Sequence, residues 1–268
     1  MSGVVRVAIS GAAGRMGRAV VRAVRQQPDL ELVAAFGRHR HLGEDAGEVG
    51  GVGRVGVFIQ PAEAIGELRG RADVLVEFSI GEGAMANAVS AARVGVRPVV
   101  GATGYTPASL EALREACAQA GVGGVVAPNF ALGAVLLMRF CQQAAAYFPH
   151  VEIVELHHDR KRDAPSGTAL RTAELIARCR GEIPPPAVAE EEKVAAARGG
   201  VYEGVRVHSV RLPGLMAHQE VLFGGPGQLL TLRHDAYSEE SFLPGVLLAV
   251  RRAVTLRELV VGLEHLLA

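Results

Sequence analysis

Apolar residues alternate along the first half of the chain between short solid runs and helical spacing. Residues 4–9, Val-Val-Arg-Val-Ala-Ile, form a β-rich run that predicts a buried strand. A glycine-rich turn follows. Met16, Ala19, Val20, Ala23 and Val24 then recur at helical spacing, which predicts a helix through about Gln27, stopped by Pro28-Asp29. Further strands are expected at 30–36, 74–78, 96–100 and 124–127. Helices are expected over 84–93 and 106–121, the second opened by Thr106 as N-cap and Pro107 in the first turn. Residues 43–56 are glycine-rich and read as loop with short structure. Repeated strand–helix–strand units predict an α/β fold with a doubly wound parallel sheet.

The pattern changes after residue 130. A helix is expected over 134–148, a strand over 151–157 and, past a polar loop, a helix from about Ser166. Residues 184–200 are Pro-rich, then acidic, then end in glycine, and read as a flexible connection. Strand-like runs at 205–212, 219–223 and 229–233 follow in succession, which predicts an antiparallel or mixed sheet in a second, α+β domain. The exposed face of that sheet offers a subunit interface. Residues 242–268 return to helical spacing and are expected to fold back on the first domain. The resulting division is 1–130 with 240–268 around a central 131–239.

Composition narrows the class. At 268 residues the chain has room for one large domain or two modest ones. Its 28 Lys and Arg balance 28 Asp and Glu, so no basic face for nucleic acid is implied. Aromatics make up 4% and Trp is absent, which argues against stacking on single strands. No apolar run approaches the ~20 residues of a membrane span, and the N-terminus lacks the basic-then-apolar pattern of an export signal. Cys117, Cys141 and Cys179 are scattered, without CxxC or zinc spacing. Each falls in a helical stretch, where a small buried hydrophobe is the expected role, and a cytoplasmic location fits.

Gly11-Ala12-Ala13-Gly14-Arg15-Met16-Gly17 sits where the first strand meets the first helix. Glycines let the backbone approach a pyrophosphate, and a helix N-terminus presents free N–H groups to it. The spacing is GxxGxxG rather than GxGxxG, so the strand before and the helix after give it its force. The second strand ends in Phe36-Gly37-Arg38-His39-Arg40, without the acid that holds a ribose diol. Arg38, with Arg40 beside it, therefore predicts a preference for NADPH through its 2′-phosphate. Gly101-Ala102-Thr103-Gly104 and Ala127-Pro128-Asn129-Phe130 lie at the carboxyl ends of two more expected strands, where such sheets bind ligands, and are read as lining the nicotinamide side.

Only two lysines occur, Lys161 and Lys193. Arg cannot release its proton at workable pH, whereas Lys in suitable surroundings can. Lys161 stands in Glu155-Leu-His157-His158-Asp-Arg-Lys161-Arg-Asp163-Ala-Pro-Ser166-Gly167-Thr168, beside two histidines, which points to a proton donor. His157 and His158 reach one site only if the strand ends or bends there. A metal centre is disfavoured, because adjacent ligands on a strand have poor geometry and no fourth is apparent. Ser166-Gly167-Thr168 opens a helix, which reads either as a plain Ser cap or as a carboxylate-holding N-terminus; the two are compatible.

The Glu155–Thr168 pattern resembles the signature of the 4-hydroxy-tetrahydrodipicolinate reductase (dihydrodipicolinate reductase) family, of lysine and diaminopimelate biosynthesis. The resemblance spans the chain, taking in the turns at 11–17, 101–104 and 127–130 and the segment 214–227 with His218. It implies a Rossmann-like domain from the two chain ends, a central substrate domain, and a homotetramer built on that domain's sheets. It implies NAD(P)H-dependent reduction of a cyclic dicarboxylate, with His157 as acid/base and Lys161 as proton donor. His158, Gly167 and Thr168 would bind substrate, with Ser166 beside them. Gly11, Ala12, Ala13, Gly14, Arg15, Met16, Arg38, Gly101, Ala102, Thr103, Ala127, Pro128, Asn129 and Phe130 would contact the nucleotide. Two departures stand out. Gly37 replaces the acid through which many relatives accept NADH, so NADH is the weaker expectation. Glu239 falls where some relatives carry Arg, so no role is carried over there. Two other readings stay open from residues alone: a semialdehyde-type dehydrogenase, which needs a reactive Cys, and a non-catalytic NADPH sensor, which needs an output module.

Overall fold

The computed structural model describes residues 3–102, 104–182, 188–189 and 191–267. It comprises two compact units, Met1–Phe130 with Phe242–Ala268, and Ala131–Ser241. The first runs β1 (Val5–Ser10), α1 (Arg15–Arg25), β2 (Leu30–Gly37), α2 (Ala46–Gly50), β3 (Ile59–Pro61), β4 (Val74–Glu77), α3 (Glu82–Arg93), β5 (Arg97–Val100), α4 (Pro107–Ala120) and β6 (Gly124–Val126). The second contains α5 (Leu132–Ala145), β7 (His150–His157), α6 (Gly167–Cys179), β8 (Gly200–Tyr202), β9 (Val205–Arg211), β10 (Ala217–Gly225) and β11 (Gln228–Ala236). The chain then returns to the first unit with α7 (Leu243–Ala253) and β12 (Leu259–Val261).

The first sheet has the order β12-β6-β5-β4-β1-β2-β3, and every pairing is parallel. From β1 the chain moves outward to β2 and β3, then crosses back to β4. The order thus reverses between β1 and β4, the position where doubly wound sheets bind nucleotides. Both faces are covered, so the strands are solid apolar runs: Val7, Ala8 and Ile9 in β1 and Val74, Leu75 and Val76 in β4 are at or near zero exposure. The Thr106 reading holds in detail. Ser109 N–H donates to Thr106 Oγ1, Ser109 Oγ accepts from Thr106 N–H, and Gly121 closes α4 in the left-handed conformation.

The helical expectation for 242–268 is corrected in part. α7 forms, with Val246, Ala249, Val250 and Ala253 on its buried stripe, but Leu259–Val261 is a strand parallel to β6. Three residues are too few to show a period, and the open edge of β6 supplies the partner. The short strands β3 and β8 were unread for the same reason.

The second sheet is mixed, in the order β11-β10-β7-β9-β8. β7 and β9 run parallel, and the other pairings are antiparallel. Alternation decides its two faces. Val151 and Ile153 of β7, Val205 and Val207 of β9, and Val221 and Phe223 of β10 turn inward onto Leu137 and Cys141 of α5 and Ala169, Ala173 and Ile176 of α6. Full burial of each of the larger of these side chains is worth about 1.5–3 kcal/mol. Of the connection read at 184–200, residues 184–187 and 190 lie outside the described residues. Among the described residues no helix is long and apolar enough to cross a membrane.

Candidate active site

In the first unit the Gly11–Gly17 turn joins β1 to α1 at the switch point. Gly11 has φ +74°, and a Cβ on Gly17 would lie 2.0 Å from the Gly11 carbonyl oxygen, so neither position admits a side chain without the turn moving. The N-cap of α1 is Gly14, which has no side chain to cap with, and no acid stands in the first turn. The helix end thus keeps its N–H groups and positive dipole for an anion. The turn opens onto a cleft of about 550 Å³, lined by Gly11, Ala13, Gly14, Gly37, Arg38, His39 and Arg40 among others. These residues fit a dinucleotide: a bare helix N-terminus for the pyrophosphate and exposed cations at the end of β2.

The other residues expected to contact a nucleotide are less uniform. Ala12 is buried, and its N–H donates to the Phe36 carbonyl, fastening the turn to β2 (3.0 Å). Arg15 is exposed and Met16 half-buried at the start of α1. Gly101, Ala102 and Ala127 to Phe130 do lie at the carboxyl ends of β5 and β6, whereas Thr103 lies outside the described residues. Phe78, which lines the cleft, connects these loops to it. Its ring packs on Phe130 with centroids 5.8 Å apart, and it fills the space where a Cβ on Gly101 would be.

The sequence reading missed Phe78, Ser79 and Asn87 of the cleft wall and the carboxylate behind them. Glu77 is fully buried at the end of β4. It accepts from Ser79 N–H (2.6 Å) and Asn87 Nδ2 (2.9 Å), and Asn87 also reaches Ser10 Oγ (3.3 Å). Burial pushes its carboxyl above the usual range, against the hydrogen bonds from Ser79, Ser10 and Asn87.

In the second unit the site is built from side chains. β7 ends at His157, so His158 leaves the strand, which is the condition for the two histidines to serve one site. His158 Nδ1 is buried and has no hydrogen-bond partner among the described residues. A turn follows, closed by Lys161 N–H on the His158 carbonyl (3.2 Å). Lys161 Nζ donates to both oxygens of Asp163 at 2.8 Å, which holds the Asp163 carboxyl below its usual range. Ser166 is the N-cap of α6: its Oγ accepts from Ala169 N–H (3.2 Å), while its own N–H donates to Glu155 (3.2 Å). Ser166 is nearly buried, whereas Gly167 is exposed and Thr168 half-buried.

Glu155 and Arg211 are the other site residues that sequence reasoning passed over. Glu155 is fully buried on the inward face of β7 and touches His157 Nδ1 (2.5 Å). Arg211, at the end of β9, donates to both its oxygens at 2.9 and 2.7 Å. Burial alone would push the Glu155 carboxyl up. Hydrogen bonds from His157, Arg211 and Ser209 outweigh it and bring the carboxyl down to about 2. The signal was present in the strand period, because Glu155 and Arg211 both stand where the alternation calls for apolar residues. His218, by contrast, is fully occupied. Its Nδ1 faces Asp235 (2.7 Å), and its Nε2 accepts from Met216 N–H (3.2 Å), which leaves no nitrogen for proton exchange.

The cysteine expectation is corrected at one position. All three lie in helices, and burial pushes the Cys117 thiol up to about 11 and the Cys141 thiol up to about 12, but Cys179 at the end of α6 is exposed.

Two family models cover almost the whole chain: dihydrodipicolinate reductase, N-terminus, over residues 5–130, and dihydrodipicolinate reductase, C-terminus, over residues 133–267. The chain belongs to the dihydrodipicolinate reductase family. It is 52% identical to the 4-hydroxy-tetrahydrodipicolinate reductase of Moorella thermoacetica, over 100% of this chain and 99% of that protein. It is 50% identical to that of Desulfitobacterium hafniense, over 98% of each. Among solved structures it resembles the dipicolinate-bound dihydrodipicolinate reductase from Paenisporosarcina sp. TG-14, with a TM-score of 0.84 and 41% identity, over 98% of this chain and 100% of that one. Strands β1 to β6 of the parallel sheet fall in the N-terminal match, and the mixed sheet falls in the C-terminal one together with the returning α7 and β12.

Proposed function

We propose how this reductase divides its work. The reaction is the NAD(P)H-dependent reduction of 4-hydroxy-tetrahydrodipicolinate to tetrahydrodipicolinate, in the pathway to diaminopimelate and lysine. Elimination of the hydroxyl with a ring hydrogen, as water, leaves a conjugated ring; hydride then enters it, and the enamine so formed takes one proton. The first unit is the dinucleotide-binding domain, and the second binds substrate and builds a homotetramer through the outward face of its mixed sheet. A bound reduced nicotinamide supplies the hydride. Gly11, Ala12, Ala13, Gly14, Arg15 and Met16 hold the pyrophosphate, and Arg38 holds the 2′-phosphate, so NADPH is preferred over NADH. Gly101 to Thr103 and Ala127 to Phe130 line the nicotinamide side.

The observation that supports the chemical reading is that Glu155 bonds both His157 and the Ser166 N–H at the start of α6, while Arg211, on the same carboxylate, also holds the Asp163 carbonyl two residues from Lys161. Lys161 as ammonium donates the proton to the enamine and stabilises developing negative charge, with His157 as the acid/base beside it. His158, Ser166, Gly167 and Thr168 hold the substrate carboxylates, helped by the N-terminal dipole of α6. Within that division His157→Ala lowers kcat, whereas His158→Ala mainly raises substrate KM. Steady-state kinetics of the two variants test it, and the reverse pattern exchanges the two roles. Thioester chemistry is disfavoured, since burial keeps the Cys117 and Cys141 thiols protonated and the exposed Cys179 stands at the far end of α6 from the Ser166 cap.

A further inference from the structure

Behind His157, on the same inward face of β7, Glu155 has no exposed surface and yet stays ionised. Its donors come from separate parts of the second unit: the His157 ring, the Arg211 guanidinium and Ser209 on β9, and the Ser166 N–H that begins α6. Arg211 is tied further, through Nη2 to the Asp163 carbonyl (2.7 Å) and through Nη1 to the Val210 carbonyl (2.8 Å). One carboxylate therefore meets the imidazole, the helix end and, by way of Arg211, the loop that carries Lys161.

A buried ion pair is a poor device for stability alone, because well-packed apolar residues often do as well. The arrangement here has a chemical consequence instead. An ionised carboxylate only accepts, so His157 must present a proton on Nδ1, which leaves Nε2 as the nitrogen that exchanges. Arg211, bonded to both oxygens of the carboxylate, opposes transfer of the Nδ1 proton to Glu155. We propose that Glu155 is a positioning residue that sets the tautomer and orientation of His157, with Arg211 holding the Lys161 loop to the same carboxylate. The inference rests on the acid/base reading of His157.

The test is a double-mutant cycle on the full-length enzyme, reading kcat, substrate KM and the NADPH dissociation constant. Glu155→Gln keeps the shape and removes the charge. It is expected to lower kcat by about 10-fold or more, up to the ~10⁴ seen when a carboxylate that orients an acid/base histidine is made an amide, with KM and NADPH binding changed less than about threefold. In a His157→Ala background it should then change kcat less than about twofold, because the residue it acts through is gone. If Glu155→Gln does not fold, Glu155→Asp, which keeps the charge beside Arg211 and draws it back from His157 Nδ1, supplies the comparison. ¹⁵N spectra of histidine-labelled protein add a readout that folding alone does not move. His157, assigned by its loss in His157→Ala, should be Nδ1-protonated in the wild type and a tautomer mixture in Glu155→Gln. Equal kcat losses with and without His157, or an unchanged tautomer, overturn the proposal while the acid/base reading stands. Full kcat in His157→Ala sinks that reading and the proposal with it.

Discussion

Each unit buries one carboxylate behind its site, and the two behave oppositely. Glu77 stands at the end of β4 beneath the nucleotide cleft, and Glu155 near the end of β7 beneath the His157 loop; both are at zero exposure. Burial is the largest influence on each and pushes each carboxyl up. The partners Glu77 hydrogen-bonds are neutral, Ser79 and Asn87, and the net shift is upward. Glu155 meets Arg211 in a two-pronged contact as well as His157, and its carboxyl falls to about 2. A cationic partner, rather than depth, decides whether a buried acid keeps its charge. The same contrast separates the sites themselves. The nucleotide cleft is shaped by backbone, a glycine turn and a bare helix end, while the loop after β7 is a network of charged side chains.

The largest expected effect breaks the second site alone. Lys161→Ala should lower kcat about 10²–10⁴-fold, the usual range for losing a general acid, with NADPH binding intact by fluorescence titration. Lys161→Arg restores the charge and not the rate.

Stability comes next. Glu155→Gln leaves the half-buried Arg211 without its counter-charge and should cost about 1.5–3 kcal/mol at neutral pH, measured by urea unfolding. A carboxyl lowered from 4.5 to about 2 contributes stability that is present above the unfolded value and is lost as pH falls through the folded one. The difference between variant and wild type should therefore shrink between about pH 4.5 and about pH 2.

Arg38→Ala acts only on the first unit. It should raise KM for NADPH about tenfold or more, as expected for one charged hydrogen bond to phosphate, and leave KM for NADH within about twofold. The smallest effect sharpens the comparison. A raised carboxyl such as Glu77 contributes stability that is present below the unfolded value and is lost as pH rises through the folded one. Glu77→Gln should thus gain stability relative to wild type as pH rises from 4, the opposite slope to Glu155→Gln.

What was legible in the chain follows from how local each feature is. The strands buried on both faces announce themselves as solid runs such as Val74, Leu75 and Val76. The Thr106 cap, the Gly11 turn and the Ser166 cap are written within four or five residues, and all three form. β12 was not legible, since Leu259–Val261 becomes a strand only because β6 presents an edge. Glu155 and Arg211 are 56 positions apart, and only the parallel pairing of β7 with β9 brings them together. The sequence could show two misplaced charges, but not that they answer each other.

The most direct measurement is cofactor oxidation by the purified protein, with substrate generated in place from pyruvate and aspartate semialdehyde by the preceding synthase, and NADPH and NADH run side by side. The account predicts synthase-dependent oxidation that is faster with NADPH at limiting cofactor. No oxidation of either cofactor, by protein shown to bind NADPH, would contradict it and return the chain to the reading of a nucleotide sensor.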